Sequence, residues 1–356
     1  MKENKTIMPA FIMIAGRSVG AGRPPYVVAE LSANHGGSID RALAVMEAAK
    51  AAGADAIKLQ TYTADTITID HDGPDFRIHG GLWDGRRLYE LYEEAHTPWD
   101  WHAALFAKGR ELNIPVFSTP FDDTAVDFLE RLNPPAYKIA SFELIDLPLV
   151  RRVAATGKPV IMSTGMASLE EITESVEAFR AAGGRHLILL HCVSGYPTPV
   201  EQSNLRRIPE LAAEFGCPVG LSDHTLGVEV GIASVALGAC LIEKHFTLRR
   251  ADGGPDSAFS LEPDELRALV HGAKAAFEAL GTGAPARAEV EKANMVFRRS
   301  IYVVRDVGAG EPFTDENVRI IRPGYGLAPR ELPKVLGRKA RRALARGTAL
   351  TWDAVE

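Results

Sequence analysis

The sequence predicts an α/β protein: a (β/α)8 TIM barrel followed by a small β-rich domain. Three observations lead there. Eight short apolar runs between Tyr26 and Phe246 each end abruptly in polar residues, as buried parallel strands do where their carboxyl ends open into a site. Amphipathic stretches of helical length separate the runs, and eight strand-helix units at this rhythm suit a closed barrel. After Gly281 the pattern changes to short strands and tight turns.

In chain order the expected strands are Tyr26–Glu30, Ala56–Gln60, Val116–Pro120, Ala136–Ser141, Val160–Gly165, Leu187–Cys192, Val219–His224 and Cys240–Phe246. Helical patterns include Asp40–Ala52, Thr124–Leu132, Leu169–Ala182 with a capping box in Ser168 and Glu171, Leu226–Gly238 and Pro263–Leu280. Alternation alone also fits a doubly wound open sheet. The count of eight favours the barrel, and so do the polar residues. Glu30, Lys58, Gln60, Thr119, Lys138, Ser141, Ser163, Ser222, His224, Glu243 and His245 all fall at or near proposed carboxyl ends, the face that holds active sites in barrels.

The organisation expected is a barrel domain over 1–280 with an N-terminal extension at 1–25, a linker at 281–292 and a β-rich domain at 293–356. Ser300–Val304 and Val318–Ile321 read as strands of that last domain. The long gap between the second and third barrel strands, with Gly80–Arg87 and Pro98–His102, reads either as a lid or specificity element or as a solvated loop pinned by its tryptophans.

Composition narrows the partners. With 46% hydrophobic residues, 24% charged residues, a net charge of −6 and a pI near 6.0, nothing draws the chain to nucleic acid or to an anionic membrane. An anionic substrate must therefore be held by local cations. No apolar run has the length of a bilayer span. Ile7–Ala15 faintly imitates a signal peptide, but Pro9 interrupts it. Cys192, Cys217 and Cys240 lack metal-type spacing and fit buried thiols in a reducing cytoplasm.

His224 and His245 would project from neighbouring strand ends, which suits a divalent metal with few protein ligands; each alone would more often be ordinary hydrogen-bonded structure. Adjacent Asp223 and Glu243 could support or share the chemistry. Lys58 and Lys138 at interior strand ends point to a phosphate or carboxylate ligand, or else pair with neighbouring acids, or form a Schiff base as barrel aldolases do.

These residues carry a resemblance. Ala29-Glu30 with Asn34-His35-Gly36, Ile57–Thr61, Phe117–Phe121, Tyr137–Ser141, Ser163–Met166, Tyr196-Pro197-Thr198, Leu221–Thr225, Glu243–Phe246 and Arg322-Pro323-Gly324 resemble the sialic acid synthase family over nearly the whole chain. In that family a barrel joined to an antifreeze-like (SAF, β-clip) domain condenses phosphoenolpyruvate with an amino sugar. Gly80–Asp84, Leu88–Glu93 and Thr97-Pro98-Trp99 are most similar to the pseudaminic acid branch, which uses a 2,4-diacetamido-2,4,6-trideoxy-altrose. Neuraminic and legionaminic acid synthases are the alternatives within the family.

The resemblance implies that Lys58, Gln60, Thr119, Lys138, Ser141, Ser163 and Ser222 hold phosphoenolpyruvate. It implies that His224 and His245 bind a divalent metal, Mn2+ with Mg2+ or Co2+ as alternatives, and that Tyr196 and Asp256 lie near the sugar. Arg322 would reach in from a partner subunit, giving a domain-swapped homodimer, although alone it reads as a surface turn residue. Arg249-Arg250 stands where the family commonly has an acidic residue. The metal would polarise the sugar aldehyde. Glu243, which shares a strand end with His245, or else Glu30, would act as general base for water addition before phosphate leaves. A Schiff-base aldolase and a non-catalytic sugar-binding protein are the rivals from other classes.

Overall fold

The computed structural model describes residues 10–356, which form two compact units divided after Gly281. The first begins with an antiparallel hairpin, β1 (Phe11–Ile14) and β2 (Arg17–Gly20). Eight parallel strands follow: β3 (Tyr26–Glu30), β4 (Ala56–Thr61), β5 (Val116–Pro120), β6 (Tyr137–Ile139), β7 (Val160–Ser163), β8 (Leu187–Cys192), β9 (Val219–Asp223) and β10 (Leu241–His245). They close in the order β10-β3-β4-β5-β6-β7-β8-β9, so the architecture is the barrel and not the open sheet.

Each strand lies in one of the expected runs. The helices do too, within a few residues at their ends: Ile39–Ala52, Asp123–Glu130, Leu169–Ala181, Glu229–Ala236 and Pro263–Leu280. The capping box forms as read. Ser168 Oγ accepts from Glu171 N at 3.2 Å while Glu171 Oε2 accepts from Ser168 N at 2.8 Å, satisfying two amides that the first helical turn leaves unpaired.

Because side chains alternate along a strand, the barrel has two cores. Val27, Ala29, Ile57, Leu59, Tyr137, Ile139, Leu189, Leu221 and Ile242 pack outward against the helices. Tyr26, Val28, Ala56, Phe117, Ile161, Ile188, Leu190 and Leu241 fill the interior toward the amino ends. Gly220 is required in that interior, where a Cβ would collide with the Leu241 carbonyl and with Leu190.

The hairpin closes the amino end. Ile12, Ile14 and Val19 are buried in the same cluster as the interior residues, while Phe11 and Met13 face outward. The sequence reading treated this stretch as an imitation of a signal peptide. Residues 7–9 lie outside the described residues, and Phe11–Ile14 is strand. Phe11–Ile14 is apolar at every position, so its alternation of burial leaves no period-2 trace in the sequence.

The second unit is built on an antiparallel pair, β11 (Ser300–Val303) and β12 (Val318–Ile321), around Ile301, Val303, Phe313, Val318, Val335 and Leu350. Among the described residues no helix is long and apolar enough to cross a membrane.

Candidate active site

Above the apolar interior, the inward positions at the carboxyl ends become polar. Register sets the neighbours: His245 lies opposite Glu30, Glu30 opposite Lys58, and Glu243 opposite Ser222. Glu243 Oε1 lies 2.9 Å from Lys58 Nζ, 3.1 Å from Lys138 Nζ and 3.3 Å from Ser222 Oγ. Lys58 Nζ is also 2.6 Å from Glu30 Oε2. Two ammonium groups and two carboxylates thus share one buried space.

Their titration follows from that crowding. Burial would raise the Glu243 carboxyl, but Lys138 and Lys58 outweigh it and hold the group well below the usual carboxylate range. Burial, helped by the second ammonium at Lys138, brings Lys58 down to about 7 against the pull of Glu243.

Around the cluster lie polar atoms with bonding capacity to spare. Thr119 Oγ1, Ser163 Oγ, Glu30 Oε1, Glu243 Oε2 and His245 Nδ1 are buried with no hydrogen-bond partner among the described residues. Buried polar atoms are nearly always partnered, so such a group at one end of a barrel marks a surface shaped for a polar ligand. Gln60 is half-buried beside Thr119 in register. Ser141 Oγ accepts from Gly165 N at 3.1 Å, and a Cβ at Gly165 would strike Ser141 and Ser194. The missing side chain there is what lets the two serines close on the turn after β7.

The two imidazoles face the same space, with ring centroids 5.4 Å apart. His224 Nδ1 donates to Val193 O at 3.0 Å, which directs the Nε2 lone pair of the neutral ring elsewhere. Burial, with His224 and Lys58 nearby, keeps His245 well below its ordinary pKa and therefore neutral, the form a metal needs. Burial opposes protonation of His224, but Cys192, Val193 and Glu243 together outweigh it and raise the group. Asp256 Oδ2 lies 3.7 Å from His245 Nδ1. Among the described residues no set of three or more His, Cys, Asp or Glu side chains is placed to hold a metal. The residues fit an ion with two imidazole ligands whose remaining positions go to substrate and solvent.

Tyr196 packs against this pair, tilted to the His224 ring at 4.4 Å and edge-on to His245 at 6.5 Å, with Phe259 5.2 Å away. Asp256 accepts from Ser32 Oγ, and burial raises its carboxyl. Arg322 belongs to the second unit, where it is exposed; its loop is pinned by Ser300 Oγ, which donates to Pro323 O at 2.7 Å. The Arg249-Arg250 stretch turns away from the chemistry: Arg250 pairs with Glu265 at 3.0 Å and Arg249 with Asp252 at 2.8 Å.

Two residues at the site were not singled out from sequence for a role there, and a third, Trp83, lay in the insertion read as a lid or as a loop pinned by its tryptophans. Glu143 follows Ser141 on the same loop, and burial raises it to about 7 despite Lys138 and Lys58; its signal was an acid two residues beyond a strand end already flagged. Cys192 Sγ lies 3.9 Å from His224 Nδ1. Burial would raise this thiol, but His224, Ser141 and Lys138 together outweigh burial and take it down to about 7. Trp83, in the insertion after β4, donates from Nε1 to Pro255 O at 3.0 Å and packs 5.6 Å from Tyr196, so the insertion is docked at the mouth.

The sequence profile described as the NeuB family matches residues 45–285. The chain belongs to the NeuB family. A SAF domain matches residues 298–356. Among NeuB-related proteins, the pseudaminic acid synthase of Campylobacter jejuni is 47% identical over 91% of this chain and 95% of its own length. That of Helicobacter pylori is 42% identical over 94% and 98%. The crystal structure of the N-acetylneuraminic acid synthetase of Leptospira borgpetersenii superposes with a TM-score of 0.72 at 31% identity, covering 82% of this chain and 96% of that one.

Proposed function

We propose that this protein is a pseudaminic acid synthase: it joins phosphoenolpyruvate to 2,4-diacetamido-2,4,6-trideoxy-β-L-altropyranose, in its open-chain form, and releases pseudaminic acid and phosphate by C–O cleavage. The observation that carries the chemistry is two buried lysines sharing one carboxylate beside a pair of facing imidazoles. The likeness to two pseudaminic acid synthases at more than 40% identity supports the choice of sugar.

Phosphoenolpyruvate brings a carboxylate and a phosphate. Lys58 and Lys138 supply the charge to hold them, and Gln60, Thr119, Ser141, Ser163 and Ser222 supply hydrogen-bonding groups. A divalent ion held by His224 and His245, Mn2+ being our choice, supplies Lewis acidity toward the sugar carbonyl. Tyr196 and Asp256, which flank the imidazoles, position the sugar.

Bond formation between the phosphoenolpyruvate methylene and the aldehyde carbon leaves positive charge at the enol carbon. Water adds there and loses a proton to a carboxylate, for which Glu243 is first choice and Glu30 second. While clasped by two ammonium groups Glu243 is a poor base. Substrate anions that compete for Lys58 and Lys138 free it, and its basicity rises as they bind. The C–O bond to the phosphorus-bearing oxygen then breaks as the new hydroxyl becomes the ketone; the two protons of the water end on the oxygen of the former aldehyde and on the phosphate, and the lysines stabilise the departing phosphate.

A domain-swapped homodimer would bring Arg322 of a second copy to the sugar. Two features support it. Phe142, Ile145, Met166, Leu169, Val200 and Leu226 are exposed on the segments that follow β6 to β9, at the end of the barrel that carries the site. Residues 282–356 carry 14 Lys and Arg against 9 Asp and Glu, a charge of +5, whereas the rest carries 26 against 37, or −11. Three buried free thiols support a cytoplasmic location.

The test is to supply the protein with Mn2+, phosphoenolpyruvate and each candidate amino sugar separately, and to identify the nine-carbon acid by mass spectrometry. Turnover with the diacetamido-trideoxy sugar, lost on chelation, is expected. Turnover with N-acetylmannosamine alone would move the reading to a neuraminic acid synthase. One observation favours a different class: Lys58, lowered to about 7, has the free-base fraction an imine needs. Borohydride trapping of a pyruvate adduct on Lys58, with no effect of chelator, would establish that reading instead.

A further inference from the structure

Side chains alternate along β10, so Glu243 and His245 face the interior while Lys244 points into the layer between barrel and helices. Its ammonium is fully buried there, 2.7 Å from Asp223 Oδ2, and Asp223 is the residue opposite it in register on β9. Lys244 Nζ also donates to Thr225 O at 2.6 Å. Asp223 Oδ1 in turn accepts from Thr225 N at 2.9 Å and from Thr225 Oγ1 at 2.8 Å. The lysine immediately precedes His245, and the other two residues bracket His224.

Stability does not account for this arrangement. A buried ion pair gains little over apolar side chains of the same volume, because desolvation cancels most of the attraction. Direction is what apolar groups cannot supply. With a longer bond from Lys244 Nζ to Thr225 Oγ1 at 3.4 Å, five bonds fix the turn Asp223-His224-Thr225 at the end of β9 and tie it to β10 one residue before the second imidazole.

We propose that Lys244 and Asp223 are positioning residues, an outward-facing clasp that sets the spacing of the His224 and His245 imidazoles and thereby their affinity for a divalent ion. The inference rests on reading those imidazoles as metal ligands. The inner side of the turn is held separately, since Thr198 N donates to His224 O at 3.0 Å and His224 Nδ1 to Val193 O. The clasp therefore acts on the helix-facing side of the turn, where the β9–β10 ladder ends at the Lys244–Asp223 pair.

The test removes both charges at once, with Asp223→Leu and Lys244→Met together, so that no lone ion is left buried. Parent and variant are titrated with Mn2+ alone, free ion being read by electron paramagnetic resonance, and the metal-free thermal midpoint is recorded beside it. The expected result is a midpoint near that of the parent with Mn2+ binding weakened about tenfold or more. Thr225→Val keeps both charges and removes only the bonds of the hydroxyl, to Asp223 and at 3.4 Å to Lys244, and should weaken binding roughly threefold at an unchanged midpoint. It decides the matter if the double variant fails to fold. Parent-like Mn2+ affinity in a folded variant overturns the clasp while leaving the imidazole reading intact, provided His245→Ala abolishes binding. A parent that binds no Mn2+ overturns both.

Discussion

Glu243 and Lys244 are adjacent on one strand, and both sit in buried ion pairs, yet the two faces of β10 are built to different rules. On the outer face Lys244 finds one carboxylate and two further oxygens, and Asp223 is satisfied by the turn it caps. On the inner face Lys58 and Lys138 converge on one oxygen of Glu243, while its other oxygen and one of Glu30 have no partner among the described residues. A saturated pair resists exchange. An unevenly partnered one invites it, because an incoming anion takes ammonium groups already gathered in low dielectric. The contrast teaches that burial of charge does not by itself mark a site; the leftover valences do.

The largest expected effect lies on the inner face. Lys138→Met should lower kcat/KM for phosphoenolpyruvate by about a thousandfold, since it removes a charge-assisted contact and leaves Glu243 with one cation, together worth roughly 4 kcal/mol. Steady-state kinetics beside a melting curve check this. A loss below tenfold in a folded protein would mean that the inner cluster is as structural as the outer one.

A smaller effect should appear in the pH dependence. Burial raises Glu143 to about 7 from an ordinary 4.5, so between those values the folded chain holds a proton that the unfolded chain has released. Stability conferred below pH 4.5 is therefore lost as pH rises toward 7, by roughly 1–3 kcal/mol, and Glu143→Gln is spared that loss. Melting curves of parent and variant from pH 5 to 8 should diverge, the variant gaining. A constant difference would place this carboxyl in solvent.

At the mouth, Trp83→Ala removes the ring against Tyr196 and the hydrogen bond to Pro255. The KM for the amino sugar should rise about tenfold, near 1.4 kcal/mol, with that for phosphoenolpyruvate unchanged. Equal changes in both constants would show that the insertion supports the barrel and not the sugar. Smallest of all, Arg250→Ala should leave both constants within about twofold, since its partner is a partly exposed glutamate on the helix Pro263–Leu280.

Much of this was legible in the sequence for a simple reason. A parallel strand buried on both faces writes an uninterrupted apolar run, and a polar end such as Glu243-Lys244-His245 has no place there unless it opens into something. What the run does not record is which way each side chain points. Lys138 and Lys244 look alike in sequence, and only the pleat sends one into the interior and the other toward the helices. Register carried the same ambiguity for β1, where four apolar residues conceal a half-exposed strand. Trp83 and Pro255 are far apart in the chain, so no local spacing links them. Glu143 was hidden differently, since its altered acidity comes from burial and not from its neighbours in sequence.

The plug made by Ile12, Ile14 and Val19 has a consequence for traffic. With the amino end stopped, everything that enters or leaves must use one doorway. If the three-carbon donor lodges against Lys58 and Lys138, and the sugar beside Tyr196 where Trp83 closes on the mouth, the donor must go in first, and a sugar that arrives before it blocks its route. Initial rates should then show an obligatory sequence of entry, with excess sugar inhibiting at low donor concentration.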